Sequence, residues 1–490
     1  MDIEVVEIGT NVLLPNVDYI GEVTLKSDAE FNATTISHAS QLSEEGIKVV
    51  VEKEIIVPYE IDGKMPTYFN FMSLPFDILP SLNIEYFHPQ DKVWKPAVLE
   101  QDIRLLTYKS EVRAQGKEQY AKTWTTWGGT GTGTGDGTKI FAHHGFVLVG
   151  NSDYGDEEHK MKVRFKSFYA EGNSDVKRET IYKQDGNVKN IVVNAFRNNV
   201  PGGTHELDAD WNHVGSPYLT HCEGFDYVLY FHDGYTYKAV SQVENPVILP
   251  YQSVMFQANM GELASKEIVA VPLSLGAKTK SAQSVYGRAY LAVNDRECVK
   301  IILSDEASEN FVVNEDAWYM APTTDVFSTM SLKVAGSDAS ISVQPEPNEL
   351  PLTIYTGAKG EQTISLNRVD GDQNVFLKDA VTGEVVCLND EDYTFTATPK
   401  TTIANRFTVS MIEPTGICDQ PTTDGDIKAV VTADGIKLFG TVEGDFIALY
   451  SANGMLIANA IAEDGITNIE TSANGVIIIK VANETVKVVK

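Results

Sequence analysis

Short runs of Val, Ile, Tyr and Phe recur along the whole chain: IKVVVEKEIIV (47–57), GFVLVG (145–150), KNIVVNAF (189–196), DYVLYF (226–231) and VKIIL (299–303). β-Branched and aromatic side chains pack well on a pleated surface, and the Gly, Asn, Asp or Pro clusters bounding each run stop it, so each predicts a strand closed by a tight turn. Long 3.6-residue periodicity is almost absent. The best helical stretch, AVLEQDIRLLTYKSEVRAQG, is broken by Thr107 and Tyr108 and reads alternatively as strand and loop. The pattern predicts an all-β, multidomain chain of jelly-roll-like β-sandwiches with a small immunoglobulin-like sandwich at its end.

Composition shifts divide that pattern. GAKTKSAQS (276–284) reads as a domain junction, QPEPNELP (344–351) as a Pro-rich connection, and EPTGICDQPTTDGD (413–426) as a solvated linker. The expected organisation is an N-terminal β-sandwich region over 1–275, as one unit or two with a break near 180–200. A second sandwich follows at 285–412, then the linker 413–426 and a final sandwich at 427–490. A loose internal echo runs through the first region: YFNFMSLPFDI (68–78) is followed later by IFAHHGFVLVG (140–150), and DWNHVGSPYLT (210–220) by ILPYQSVMFQA (248–258). Pro75 and Pro217 donate no hydrogen bond to a sheet ladder, which places each at a strand end or an edge.

Charge and cysteine content narrow the function classes. At 490 residues the chain can bury several cores, and its formal charge of -29 weighs against nucleic acid, whose phosphates demand clustered Lys and Arg. Cys222, Cys298, Cys387 and Cys418 are too scattered for a small disulfide scaffold or a Cys-x-x-Cys site. Buried thiols are expected, with Cys387–Cys418 the most plausible bridge. MDIEVVEIGTNVLLPNVDYIGEV lacks the basic and apolar regions of a signal peptide, and no window reaches the roughly 18 apolar residues of a spanning helix.

Candidate chemistry is sparse. WTTWGGTGTGTGDGTK (124–139) lacks both GxxxxGK[ST] and GxGxxG spacing, so it reads as a hairpin tip rather than a phosphate cradle. Its Trp124 and Trp127, with Trp211, are the aromatic candidates for stacking on a sugar ring. Nine histidines give no HExxH, because HELDA (205–209) fails at its last position. No metal or cofactor is expected, and His213 with His221 would be the first choice for a metal. DADW (208–211) and DEE (156–158) could supply an acid and a base for glycoside hydrolysis only with a defined separation across a cleft. DGDQN (370–374) opens like a calcium loop but lacks its Gly and closing Glu, so a turn is expected. No GxSxG elbow or cysteine-protease setting is present, and no catalytic residue is assigned.

The ending is more specific. IKAVVTADGIKLFG, DFIALYSANGMLIANAIA and ITNIETSANGVIIIKVANETVKVVK alternate as strands with one buried face. Asn453–Gly454 and Asn474–Gly475 supply hairpin turns, and Lys480, Lys487 and Lys490 stand out in an acidic protein. This order resembles the C-terminal sorting domain of the type IX secretion system of Bacteroidetes: LYSANGMLI for its Tyr-to-Gly hairpin, SANGVIIIKV for its "GVYIVKV" strand, and VKVVK at the end. Ile477 stands where the family usually has Tyr. Upstream, SLPFDI, YKSEVRAQG (108–116), WNHVGSPYL, LPYQSVMFQA, VFLKDAVTGEVVCLNDEDYTFTAT (375–398) and ANRFTVSM (404–411) resemble segments that recur before such domains in large secreted Bacteroidetes proteins.

The resemblance implies a secreted or cell-surface binding or structural protein of unassigned ligand. It would be exported through a leader not contained in this chain and recognised by an outer-membrane translocon. Tyr450, Gly454, Gly475, Lys480, Lys487 and Lys490 carry the sorting motif. A glycan or surface polymer is the candidate partner weighed for it, with the ligand itself left unassigned. The alternatives are a carbohydrate-active enzyme with a loop-built site, and a phage or assembly component that uses host-like β modules.

Overall fold

The computed structural model describes residues 2–8, 12–14, 19–26, 31–33, 48–127, 139–167, 189–196, 206–219, 222–223, 225–261, 263–272, 285–371, 373–412, 427–431, 435–451, 455–463, 465–471, 473, 475–481 and 484–489. Strands dominate them, and the fold is all-β with several sheets. Period-two alternation explains why. In KMKVRFK (Lys160–Lys166), Met161, Val163 and Phe165 are buried while the basic side chains occupy the opposite face. The stretch 97–116 proves to be strand Ile103–Tyr108 followed by the one-turn helix Ser110–Arg113.

Residues 48–166 form two facing sheets. One has the order Lys48–Ile56, Lys160–Lys166, Ile84–His88, Val93–Pro96, extended beyond Lys48–Ile56 by the parallel strands Tyr19–Lys26 and Asp2–Ile8. The other has the order Trp124–Thr126, Ile103–Tyr108, Phe146–Gly150, Asn70–Met72. Residues 189–272 repeat this plan, with Lys189–Asn194, Ser265–Pro272, Cys222–Glu223 facing Tyr237–Val240, Leu229–His232, Ser253–Gln257, Trp211–Gly215. In both units the chain crosses from one sheet to the other and back, while Ile103–Tyr108, Trp124–Thr126 and Phe146–Gly150 in the first unit, and Leu229–His232, Tyr237–Val240 and Ser253–Gln257 in the second, follow one another within a single sheet.

The two units meet reciprocally. Met72 bridges Gln252 as Val214 bridges His144, and Ser73 N–H donates to the Tyr251 carbonyl (3.1 Å) as Gly215 N–H donates to that of His143 (2.9 Å). His143 and Tyr251 share positive φ, 56° and 63°. Asn70 exchanges hydrogen bonds with the backbone of Ile56 as Asn212 does with that of Asn194. Such i-to-j and j-to-i contacts mark an approximate two-fold relation. The sequence echo is therefore an internal duplication. Its seam is tight: a Cβ on Gly215 would fall 1.6 Å from Ser73 Oγ, and one on Gly145 would fall 2.4 Å from the His213 ring.

Residues 285–410 differ in kind. One hydrogen-bonded path of strands runs from Val385–Cys387 through Thr402–Ser410, Ser337–Gln344 and Val285–Val293 to Tyr393–Thr396, and it encloses Leu291, Ile301, Leu332, Leu352, Phe407 and Val409. This sheet also docks on the duplicated body. Trp318 N–H donates to Tyr230 Oη (2.8 Å) and its indole to Gln257 Oε1 (2.9 Å). A central core joins Phe69, Phe71 and Val147 to Trp211, Tyr230 and Met255 and to Ile302, Trp318 and Ile341. Burying each such side chain contributes roughly 2 kcal/mol.

The last residues close on themselves. Lys428–Val431, Gly435–Thr441 and Gly465–Glu470 make one sheet. Leu456–Ile461, Phe446–Ser451, Val476–Val481 and Glu484–Val489 make the other, an immunoglobulin-like arrangement. Their core of Ile436, Leu438, Ile447, Leu449, Ile477, Ile479 and Val488 contains no described residue from 48–412.

Candidate functional site

The three tryptophans expected to offer a sugar platform are spent on packing. Trp211 is 0% exposed. Its indole donates to the Leu207 carbonyl (2.8 Å), and the Arg113 guanidinium sits 4.5 Å over its ring. This corrects Trp211 as a ligand contact, because a covered ring has no face for a sugar. Trp124 is ringed by Phe69, Phe71, Tyr108 and His213, and donates to Tyr237 Oη at 3.2 Å. Trp127 packs against the core of the first unit. The Gly-rich residues 128–138 lie outside the described residues.

Arg113, from the RAQG segment, explains that pattern. It is buried between Trp211 and Tyr120, 4.6 Å over the latter ring, so a segment of the first unit is pinned to a segment of the second. Tyr120 Oη in turn donates to Asp208. Gly116 has φ +100°, the left-handed region that favours glycine.

The seam also collects histidines. His213 lies 4.9 Å from Phe71 and 2.8 Å, through Nε2, from Ser253 Oγ. His232 stacks on Phe71 at 4.7 Å and accepts from Gly234 N–H through Nδ1. Burial pushes both down to about 3, with His144 and His232 adding repulsion at His213 and Asp233 opposing the shift at His232. These are neutral, packed rings. Among the described residues no group of three or more His, Cys, Asp or Glu could hold a metal ion. His205, His221 and Cys418 lie outside the described residues, so neither the His213–His221 pair nor a Cys387–Cys418 bridge is described. Cys222 and Cys298 are free thiols.

A second set of motif residues converges in residues 285–410. Asp379 accepts from Arg406 Nε (3.0 Å) and Nη2 (2.6 Å), from Tyr393 Oη (2.8 Å) and from Val381 N–H (2.8 Å). Asp379, Tyr393 and Arg406, from VFLKD, DYTF and NRF, are thus one ionic lock. In the DGDQN segment, Gly371 turns with φ +107° and Asp370 pairs with Arg368 at 3.3 Å.

Among the described residues, a half-exposed sheet face and a cleft are accessible to a ligand. The outer face of the first sheet carries Phe87 and Trp94, edge to face at 5.6 Å, with the Arg164 guanidinium 4.4 Å from the Trp94 ring. Arg164 and Lys166 both pair with Glu85, at 2.6 and 2.5 Å. Burial opposes ionisation of Glu85, yet these two cations hold its carboxyl below the usual range. Trp94 escaped the sequence reading. Its signal was the alternation of VWKP after the EYFH strand, which places Phe87 and Trp94 opposite each other on one face.

The other place is a cleft of about 470 Å³ where the two repeats meet the third unit. Asp62, Asp233, Asp295, Glu297, Lys238, Arg296 and Lys359 contribute its charges. Arg296 donates to Asp233 at 3.0 Å while lying 4.0 Å over Phe327, and Lys238 donates to the Glu297 carbonyl. Burial works against the Asp233 charge, but Thr236, the Tyr235 N–H and Arg296 hold its pKa below the ordinary value. Asp233 therefore stays ionised, the opposite of what a general acid needs.

In the final unit Tyr450, Lys480 and Lys487 share the outer face of the four-stranded sheet, and Gly475 turns with φ +92° ahead of Val476–Val481. Gly454 and Lys490 lie outside the described residues. Among the described residues no helix is long and apolar enough to cross a membrane. No family model, curated protein or solved structure matches the chain.

Proposed function

We propose that this chain is a secreted or cell-surface binding protein in which residues 48–412 form the working body and residues 427–490 the segment that directs delivery. The observation that supports this reading is the closed interior of the last unit. Its core draws only on residues after 426 among those described, so it can be handled as a shape of its own. The motif residues upstream act as packing elements: Arg113 between rings, Asn212 at a strand edge, Asp379 in an ionic lock. A scaffold that uses its recurring residues for packing presents function on its surface.

For the ligand, the outer face bearing Phe87, Trp94, Glu85 and Arg164 favours a glycan or similar polyhydroxylated polymer. Aromatic rings cover the apolar C–H face of a sugar, and fixed charged groups take its hydroxyls. The carbohydrate-active-enzyme reading is weaker, because the hydrogen bonds from Thr236 and the Tyr235 N–H, helped by Arg296, keep Asp233 in the cleft ionised against its burial, whereas a general acid has to be protonated.

The test is fractionation of producing cells that carry the full chain or a version ending after Ile412. Loss of surface or extracellular delivery on truncation is expected. Unchanged delivery overturns the role given to residues 427–490.

A further inference from the structure

The four-stranded sheet of the last unit carries exposed apolar side chains and lysines on its outer face. Strand register places Leu456, Tyr450, Ile478 and Lys487 in one row across the four strands, with Asn459, Ala448, Lys480 and Thr485 in the next. Phe446 and Ile461 stand opposite each other beyond them. Phe446 is 55% exposed, Leu456 53% and Ile461 60%. None of these positions is a carboxylate, although Asp and Glu outnumber Lys and Arg 68 to 39 along the chain.

We infer that this face is a protein-docking surface, and that its occupant is a different protein presenting an apolar depression rimmed by carboxylates. Large apolar side chains left exposed side by side mark an interaction site. Lys480 and Lys487 beside them select a partner of opposite charge and disfavour neutral or basic ones. A second copy of the chain fits poorly, since two bodies of formal charge -29 repel. An anionic bilayer fits poorly too, because surface attraction takes roughly four to eight clustered Lys or Arg and this face has two among the described residues. The inference rests on the proposed role of residues 427–490 as a recognised unit and adds which face is recognised and by what chemistry.

The experiment places p-benzoylphenylalanine at position 446 or 461 of the full-length chain in producing cells, with position 468 as control. Asn468 is exposed on the other sheet of the same unit. Illumination is expected to give one discrete protein adduct from 446 and 461 and none from 468. Its crosslinked peptide should combine apolar residues with Asp or Glu, and its yield should fall about tenfold in the K480E/K487E chain. Equal adducts from all three positions, adducts of the chain with itself, an unchanged yield in K480E/K487E, or co-sedimentation of the purified chain with phosphatidylserine-containing vesicles each overturn it. Delivery that fails on truncation while no adduct forms removes the docking face and leaves the delivery reading standing. An adduct that forms while truncation leaves delivery intact does the reverse.

Discussion

The rings of Phe71 and His213 lie 4.9 Å apart, and they occupy the same position in two copies of one arrangement. Phe71 follows the Asn70 that clamps Ile56, and His213 follows the Asn212 that clamps Asn194. Duplication thus put a carbon ring and a titratable ring face to face across the seam. His232 repeats the substitution, since it pairs with Tyr237 as Tyr108 pairs with Trp124.

Acid should therefore loosen the body through these two rings. Their folded pKa values, about 3, lie below the ordinary 6.5, so the folded state binds fewer protons than the unfolded chain at intermediate pH. The stability they contribute is fully present above pH 6.5 and is lost as pH falls toward about 3, with a slope of up to ~1.4 kcal/mol per pH unit for each ring. Urea unfolding between about pH 7.5 and about pH 4.5 should show the decline, and His213→Phe should make it shallower. An identical slope in the variant would remove His213 from the account.

Asp379 titrates at the other end of the scale. Burial alone would raise its pKa, but Arg406, the Tyr393 hydroxyl and the Val381 N–H hold it at about 2. Its contribution is present above the ordinary 3.8 and disappears as pH falls through about 2. At neutral pH, Asp379→Asn should cost about 3 kcal/mol, because Arg406 loses its counter-ion in a half-buried setting. Tyr393→Phe should cost about 1 kcal/mol. The shift in urea midpoint measures both, and a neutral Asp379→Asn would show that the lock is not under tension from burial.

What was legible in the sequence was what period-two alternation and turn residues carry: the all-β class, the strand-ending roles of Pro75 and Pro217, and the echo that proved to be a duplication. The stretch over 97–116 stayed open between helix and strand because Leu105 and Leu106 are adjacent apolar residues. Leu105 faces the first unit's own core, while Leu106 faces the central core shared with the other units. The burial of Trp211 was beyond local signals as well. A tryptophan beside Asp and Asn looks superficial, and only the tertiary fold brings Arg113 over it. The single hydrogen-bonded path of residues 285–410 was beyond local signals too, since the parallel pairing of Arg296–Ser304 with Ser337–Gln344 joins strands far apart in the chain.

Trp94 decides whether the outer face of the first sheet works as a glycan platform. Its ring lies on the face opposite the core residues Ile84 and Tyr86 and packs against Phe87 and Arg164, so Trp94→Ala should cost about 1 kcal/mol and leave the chain folded. Binding to an immobilised panel of neutral and acidic polysaccharides should fall by at least about tenfold. Trp124→Ala should do the converse, costing about 3 kcal/mol of stability through its packing with Phe69, Phe71 and Tyr108. Equal polysaccharide binding by the Trp94→Ala and unaltered chains would rule the platform out.

Heating should reveal two bodies rather than four. Three β units share the central core through Phe71, Trp211 and Trp318, so none of them can open without exposing the others, and residues 48–412 should unfold as one cooperative transition. Residues 427–490 keep a separate core and should melt on their own, with an enthalpy of roughly 40 kcal/mol against roughly 250 for the body. Scanning calorimetry of the chain ending after Ile412 should delete only the smaller peak and leave the larger one at its original temperature. A single transition in the full chain, or a body peak that shifts on truncation, would mean that the last sandwich draws stability from the body, and a unit tied in that way could not be handled as an independent shape.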